Sequence, residues 1–341
     1  MPKPQLAVIA TAVVLVWGQG ASGASCEGRN LFEQMPPDRL QAIEDAVADV
    51  PFRNGLLFEA RRDDQLITLV GTYHFDDARH QPMIDRLSPI IAEAEGLFVE
   101  AGPEEEARLA QALAKDPSLM VSQTGATLPE RLSDAEWQAL SEAMADRGTP
   151  AVITARMRPW YVAMMLGISP CMVRTMAEQG GDAGGLDHRL VEVAQNAQVP
   201  VRALEPWDTV FRLFADLTPQ EELDMIRASL PAAAYADDYA VTLTDAYFAG
   251  DVWKIWEFGR FDAYANSGLS RDEVDRQMDL AQSRLMDDRN ESWIAPLVDG
   301  AVDAADHDRG IVAAFGALHL PGENGVLSLL KQEGFDITRL D

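Results

Sequence analysis

Two rhythms of apolar residues divide this chain. Gly55-Leu56-Leu57-Phe58-Glu59-Ala60 and Leu66-Ile67-Thr68-Leu69-Val70 are short apolar runs on either side of the polar stretch Arg61-Arg62-Asp63-Asp64-Gln65, a pattern that predicts a hairpin. Helical spacing follows over residues 83–95, with Ile84, Leu87, Ile90 and Ile91 on one face. Gly96-Leu97-Phe98-Val99-Glu100-Ala101 is again strand-like, and Pro103 stops it because proline has no N–H for a ladder. The β-α-β order from Leu66 to Glu100 implies a right-handed crossover between parallel strands. Strand signals return at the far end, in Gly310-Ile311-Val312-Ala313-Ala314-Phe315 and in Phe335-Asp336-Ile337-Thr338-Arg339-Leu340.

Between these ends the rhythm is helical. Residues 104–114 and 133–146 are helices by spacing, the second opened by Ser133 as N-cap with Glu136 completing a capping box. Further helical segments run from Pro159 to Leu166, over 186–197, and through most of 206–298, where Trp253, Trp256 and Phe258 are expected to pack the middle of the chain. Val199-Pro200-Val201-Arg202-Ala203-Leu204-Glu205 interrupts them as one short strand. The pattern predicts an α/β fold: a mostly parallel sheet built from both chain ends, in one domain over 25–341, with residues 104–300 as a mainly helical insertion.

Two of the strands end alike. Leu66 to Val70 runs into Gly71-Thr72-Tyr73-His74, and Ile311 to Phe315 runs into Gly316-Ala317-Leu318-His319. In an open α/β sheet, sites form at the carboxyl ends of strands, so the two imidazoles and Glu100 are expected to face one pocket. A single Gly-x-x-His carries little, since glycine often only turns the chain after a strand.

Composition narrows the setting. The chain has 341 residues and a net charge of −27, from 55 acidic and 28 basic side chains. That argues against nucleic acid or anionic membrane as partner, because both are bound by cationic surface. Lys3, the apolar run 6–17 and Ala21-Ser22-Gly23-Ala24 have the layout of a cleaved secretory signal ending near Ala24, so no stable membrane insertion is expected and the periplasm is the expected location. A lipid anchor on Cys26 is the lesser alternative, since Gly23 stands where a lipobox prefers leucine. With only two cysteines and an oxidising compartment implied, a Cys26–Cys171 disulfide is the simpler reading. Gly180-Gly181-Asp182-Ala183-Gly184-Gly185 lacks a phosphate-loop pattern and is expected to be a flexible turn.

With these motifs the chain resembles the TraB/GumN family, whose relatives include the Tiki metalloproteases and, more distantly, erythromycin esterase and ChaN-like folds. The resemblance rests on Gly71 to His74, Glu100, and Gly316 to His319 running on into Leu320-Pro321-Gly322-Glu323-Asn324-Gly325. Cys26-Glu27-Gly28-Arg29-Asn30-Leu31, Pro159-Trp160, Gly185-Leu186-Asp187, Leu204-Glu205 and Arg289-Asn290 add to it. It implies a parallel-sheet core with a helical insertion and, through similarity to Tiki, a divalent-metal hydrolase acting on peptides.

The residues themselves suit that chemistry. His74, His319 and Glu100 are two imidazoles and a carboxylate, a ligand set for manganese, cobalt or zinc with a position left for water. Arg289, permanently charged and planar, would orient a substrate carboxylate or stabilise an oxyanion; its alternative is an ion pair with Asp287 or Asp288. There is no Gly-x-Ser-x-Gly elbow. The competing reading is that both histidines cap strands and satisfy backbone groups while Glu100 sits in a buried salt bridge. Glu205 either joins the site or caps the helix after Pro206, with capping the simpler reading; Arg79 and His80 either line the entrance or are solvated loop residues, the commoner case; His188 and His307 are read as surface; and Pro159-Trp160-Tyr161 with Met164-Met165 form either an apolar wall for a peptide or, as helical spacing favours, core. A peptide or small molecule is the expected substrate. A binding protein for a peptide, metal or haem-like ligand on the same fold is the alternative to an enzyme.

Overall fold

The computed structural model describes residues 26–178 and 184–341; the expected signal at 1–24 and most of the glycine-rich turn at 180–185 lie outside them. β1 (Leu57–Arg62) and β2 (Gln65–Thr72) form the expected hairpin, registered from Leu57↔Val70 to Arg62↔Gln65. Its turn is tighter than the polar run suggests. Only Asp63 and Asp64 stay outside the ladder, with Asp63 at φ 53°, a left-handed conformation that aspartate tolerates.

β3 (Leu97–Val99), β4 (Val201–Ala203), β5 (Ile311–Gly316) and β6 (Asp336–Arg339) complete a sheet in the order β4-β3-β5-β2-β1-β6. β4, β3, β5 and β2 pair in parallel, whereas β1 is antiparallel to both β2 and β6. The C-terminal strand β5 therefore wedges between β2 and β3. Its sequence explains the place: Ile311 to Phe315 is apolar at every position, as a strand covered on both faces requires.

Each face carries its own core, separated by the period-2 alternation. On one, Ile67, Leu69, Phe98, Ala313 and Phe315 pack against Trp293 and Leu297 of the helix Asp288–Ala305 and Leu327 and Leu330 of the helix Val326–Gln332. On the other, Val70, Val99, Val312 and Ala314 pack against Leu87 and Ile91 of the helix Gln81–Glu93 and Leu186 and Leu190 of the helix Leu186–Asn196. Among the described residues β4 is the one strand in the otherwise mainly helical middle of the chain, which holds a separate core around Leu140, Met144, Val162 and Ile226. Ser133 and Glu136 form the expected capping box. Trp160 packs inside, its ring stacked on Phe214 at 5.1 Å, while Met164 is exposed. The expected helical stretch from Arg271 is two helices, Arg271–Gln282 and Asp288–Ala305, joined by a π-helical turn over Ser283–Asp287. Such turns are frequent where a helix carries functional residues. Among the described residues no helix is long and apolar enough to cross a membrane.

Cys26 and Cys171 are joined by a disulfide that closes a loop of 145 residues. On the chain-entropy account a loop of that length stabilises the native state by about 4–5 kcal/mol. Non-reducing peptide mapping is expected to recover the linked pair, and reduction should lower the urea midpoint by a corresponding amount. Two free thiols in the native protein would contradict the assignment.

Candidate functional site

All four parallel strands deliver a polar residue at their carboxyl edge: β2 leads to His74, β3 to Glu100, β4 to Glu205 and β5 to His319. The two motif glycines are there for close approach, since neither has positive φ. A Cβ on Gly71 would lie 2.7 Å from Leu320 Cδ1 and 3.0 Å from Ala317 Cα, so its absence lets the second motif pack on the first. A Cβ on Gly316 would lie 3.2 Å from Glu100 Oε1, 3.6 Å from His319 Cδ2 and 3.6 Å from His74 Nε2. Glycine thus keeps open the space on which all three groups converge.

Arg289, just after the π-turn, holds this edge together. Its Nη2 donates to Glu100 Oε2 at 2.5 Å, its Nε to Glu205 Oε1 at 2.6 Å, and its Nη1 to His319 Nε2 at 3.2 Å. The expected alternative partners Asp287 and Asp288 make no pair with it; Asp287 instead accepts from Asn324. Glu205 also accepts from Trp293 Nε1 at 3.1 Å. Of the two readings of Glu205 the cap gives way: the following helix begins at Thr209, and Glu205 is bonded to Arg289 beside Glu100.

The two histidines are held differently. Because a guanidinium only donates, His319 Nε2 accepts, and Nδ1 carries the hydrogen and donates to Asn290 Oδ1 at 2.6 Å. The Asn290 amide is itself oriented by donating to Asn324 O at 2.9 Å. Burial pushes the His319 pKa down to about 4, with the Glu100 charge opposing and Arg289 assisting. His74 donates from Nδ1 to Asp187 Oδ2 at 3.1 Å, leaving Nε2 toward the convergence point. Desolvation by the surrounding protein works against its charge, but the Asp187 hydrogen bond and the Asp187 and Glu100 charges raise its pKa to about 9. For Glu100, burial raises the pKa, and the charges of His319, His74 and Arg289 with the Gly316 N–H reverse this, leaving it at about 2. Among the described residues neither ring bonds a backbone group, and both are held by side chains instead, which does not match the strand-capping reading. Its salt-bridge half does, through Arg289.

Donor chemistry and the cradle at Gly316 fit a divalent cation: an accepting Nε2 on His319, an ionised Glu100, and a His74 ring steered by a carboxylate in the manner of metal-site partners. The fit is shared with Arg289. Among the described residues, the three groups do not lie within 4.8 Å of one another; the group that does is Cys26, Cys171 and Asp237, whose sulfurs are joined in the disulfide. Beside the site, Thr72, His74, Glu100, Glu106, Asp187 and His188 line a cavity of about 150 Å³. His188, read as surface, pairs there with Glu106 at 3.0 Å. His307 is exposed, 3.4 Å from Glu95. Arg79 pairs with Asp77 and Asp245. His80 is not a solvated loop residue: it is buried, with Nε2 at 3.0 Å from Phe75 O and its ring against Phe248.

The sequence alone assigns no role to Asp187, Asn290 or Glu106, although Gly185-Leu186-Asp187 and Arg289-Asn290 are among the matching motifs. The signal was there without a partner to attach it to. Compared with known proteins, the chain matches the model of the TraB/PrgY/gumN family over residues 56–339. No curated protein and no solved structure matches it.

The pKa shifts imply a stability maximum near neutral pH. His319, at about 4 in the fold against an ordinary 6.5, favours the folded state fully above 6.5, and that contribution is lost as pH falls toward 4. Glu100, lowered from 4.5 to about 2, adds to the loss below 4.5. His74, raised from 6.5 to about 9, contributes fully below 6.5 and loses its contribution as pH rises toward 9. Urea midpoints measured across this range are expected to fall on both sides, with His319→Gln flattening the acid limb and His74→Gln the alkaline one. Unchanged limbs in both variants would contradict these environments.

Proposed function

The chain belongs to the TraB/PrgY/gumN family, and from that premise and the geometry of the strand ends we propose that it is a metal-dependent hydrolase of peptide substrates. The observation that carries the reading is the convergence of His74, Glu100 and His319 on the space kept open by Gly316. His74, Glu100 and His319 would hold a manganese, cobalt or zinc ion, which supplies a water of lowered pKa, near 7, and polarises the scissile carbonyl.

The chain's own residues do the rest. Asp187 and Asn290 orient the two imidazoles, each through the ring nitrogen that faces away from the convergence point. Glu100, ionised and held by the Gly316 N–H at 2.6 Å, is a fixed negative group. Arg289 is the permanent positive charge at the reacting edge; its five N–H groups are taken by Glu100, Glu205, His319 and Leu285 O, so it would act on negative charge developing on a carbonyl oxygen as a fixed charge. Glu205 accepts from both Nε and Nη2 along one edge of the fork, so the guanidinium is oriented before substrate arrives. Trp293, packed 4.5 Å from the His319 ring, closes the site on the core side. The oxidising, periplasmic setting of this reading is supported by the disulfide.

One observation favours the second reading, a protein that binds a peptide, metal or haem-like ligand without turnover: Arg289 already contacts two of the three metal-ligand candidates. A peptide library incubated with and without manganese, cobalt or zinc separates the two. We expect metal-dependent cleavage, and we expect His74→Ala and His319→Ala to lose metal content and cleavage together. Arg289→Lys keeps the charge but not the fork, and should stay folded and metal-loaded while slowing turnover by about 10²-fold. Full metal and full activity in both histidine variants would overturn the site. Tight peptide binding with no cleavage under any metal would establish the second reading.

A further inference from the structure

We infer that the cavity beside His74 is a subsite for the free α-ammonium group of a peptide, which, on the hydrolase reading above, would make the substrate a chain trimmed from its amino terminus. The cavity lies where the carboxyl ends of β2 and β3 meet the start of the helix Leu186–Asn196. Its volume of about 150 Å³ corresponds to roughly five waters. That is room for one small residue and its terminus.

Two polar atoms of residues on its wall are buried and have no partner among the described residues: Thr72 Oγ1 and Asp187 Oδ1. Thr72 is 3% exposed, at the end of β2, on the face shared with Val70, Val99 and Ala314, where packing alone would favour valine. A buried polar atom without a partner is costly, so the pair calls for a ligand group. The other acids of the wall are already engaged: Glu100 by Arg289, Glu106 by His188, and Asp187 by His74 through its second oxygen.

The chemistry of that group follows from the acceptors. A carboxylate oxygen only accepts, so the ligand must donate to Asp187 Oδ1, and an ammonium offers three N–H donors for Asp187, the Thr72 hydroxyl and a water or acid. An anion is disfavoured by the three carboxylates around the space. The position is also right for the reaction. In a peptide the amino nitrogen is about 2.5 Å from the first carbonyl carbon. His74 is bonded to the other oxygen of the same Asp187 at 3.1 Å, so an amine on Asp187 sets that carbonyl on the His74 side of the cavity, toward the convergence point.

The test is titration of metal-free full-length protein, in which no turnover intervenes, with trialanine amide and with its N-acetylated form. The unblocked peptide should bind at least about tenfold tighter, the effect of a hydrogen bond to a charged group. Thr72→Val should reduce the preference to within about threefold, as one acceptor is lost while another remains. Thr72→Ser, which keeps the hydroxyl, should retain it, and both variants should melt like the wild type. Equal binding of the two peptides, binding of neither at millimolar concentration, or an undiminished preference in Thr72→Val overturns the subsite. Preference without cleavage under any metal leaves the subsite standing and removes the hydrolase reading. Equal binding with cleavage of acetylated peptides does the reverse.

Discussion

Arg289 is shared by two carboxylates and an imidazole at the carboxyl edge of the sheet, and the geometry of the site depends on that sharing. Glu100 and Glu205 come from neighbouring parallel strands, with side chains only 18% and 11% exposed. Left to themselves they would repel in a poorly solvated space. Removing one partner from a buried ion pair costs about 3–5 kcal/mol, because the remaining charge is uncompensated. One guanidinium compensates both and points one N–H of Nη1 at His319. The π-turn before Arg289 is how the helix delivers it, since Arg289 Nη1 also donates back to Leu285 O within that turn.

The same short motif yields two opposite imidazoles. Both histidines follow glycine by three residues at the end of a parallel strand, yet His319 is held at about 4 and His74 at about 9. The motif sets where the ring is; the partner sets its charge. His319 lies inside the core, where burial first and the neighbouring Arg289 charge second keep it neutral. His74 lies at the rim, 56% exposed, against a carboxylate that favours the proton. A metal entering the site must displace that proton from His74 and must share Glu100 and His319 with Arg289, so its affinity is expected to rise with pH and to respond to Arg289.

What was legible in the sequence was whatever adjacent residues decide. Apolar runs marked β2, β3 and β5, their terminal residues marked His74, Glu100 and His319, and Ser133 with Glu136 marked a helix start. The missed features depend on partners far along the chain. Glu205 precedes Pro206, which locally favours a helix cap over a place in the site, because nothing local tells that Arg289, 84 residues later, lies against it. His80 sits among polar loop residues, and only the packing of Phe248 makes it a buried one. The motif glycines could be read as turns from sequence; their use as open space appears only when β5 wedges beside β2 and brings Thr72 opposite Gly316.

The central claim is that three strand ends form one cation site, and anomalous diffraction from crystals grown with cobalt or zinc tests it most directly. The account predicts a single strong peak at about 2 Å from His74 Nε2, His319 Nε2 and a Glu100 oxygen, with Arg289 still held by Glu205. Peaks confined to surface carboxylates, with Arg289 unmoved between Glu100 and His319, would contradict it.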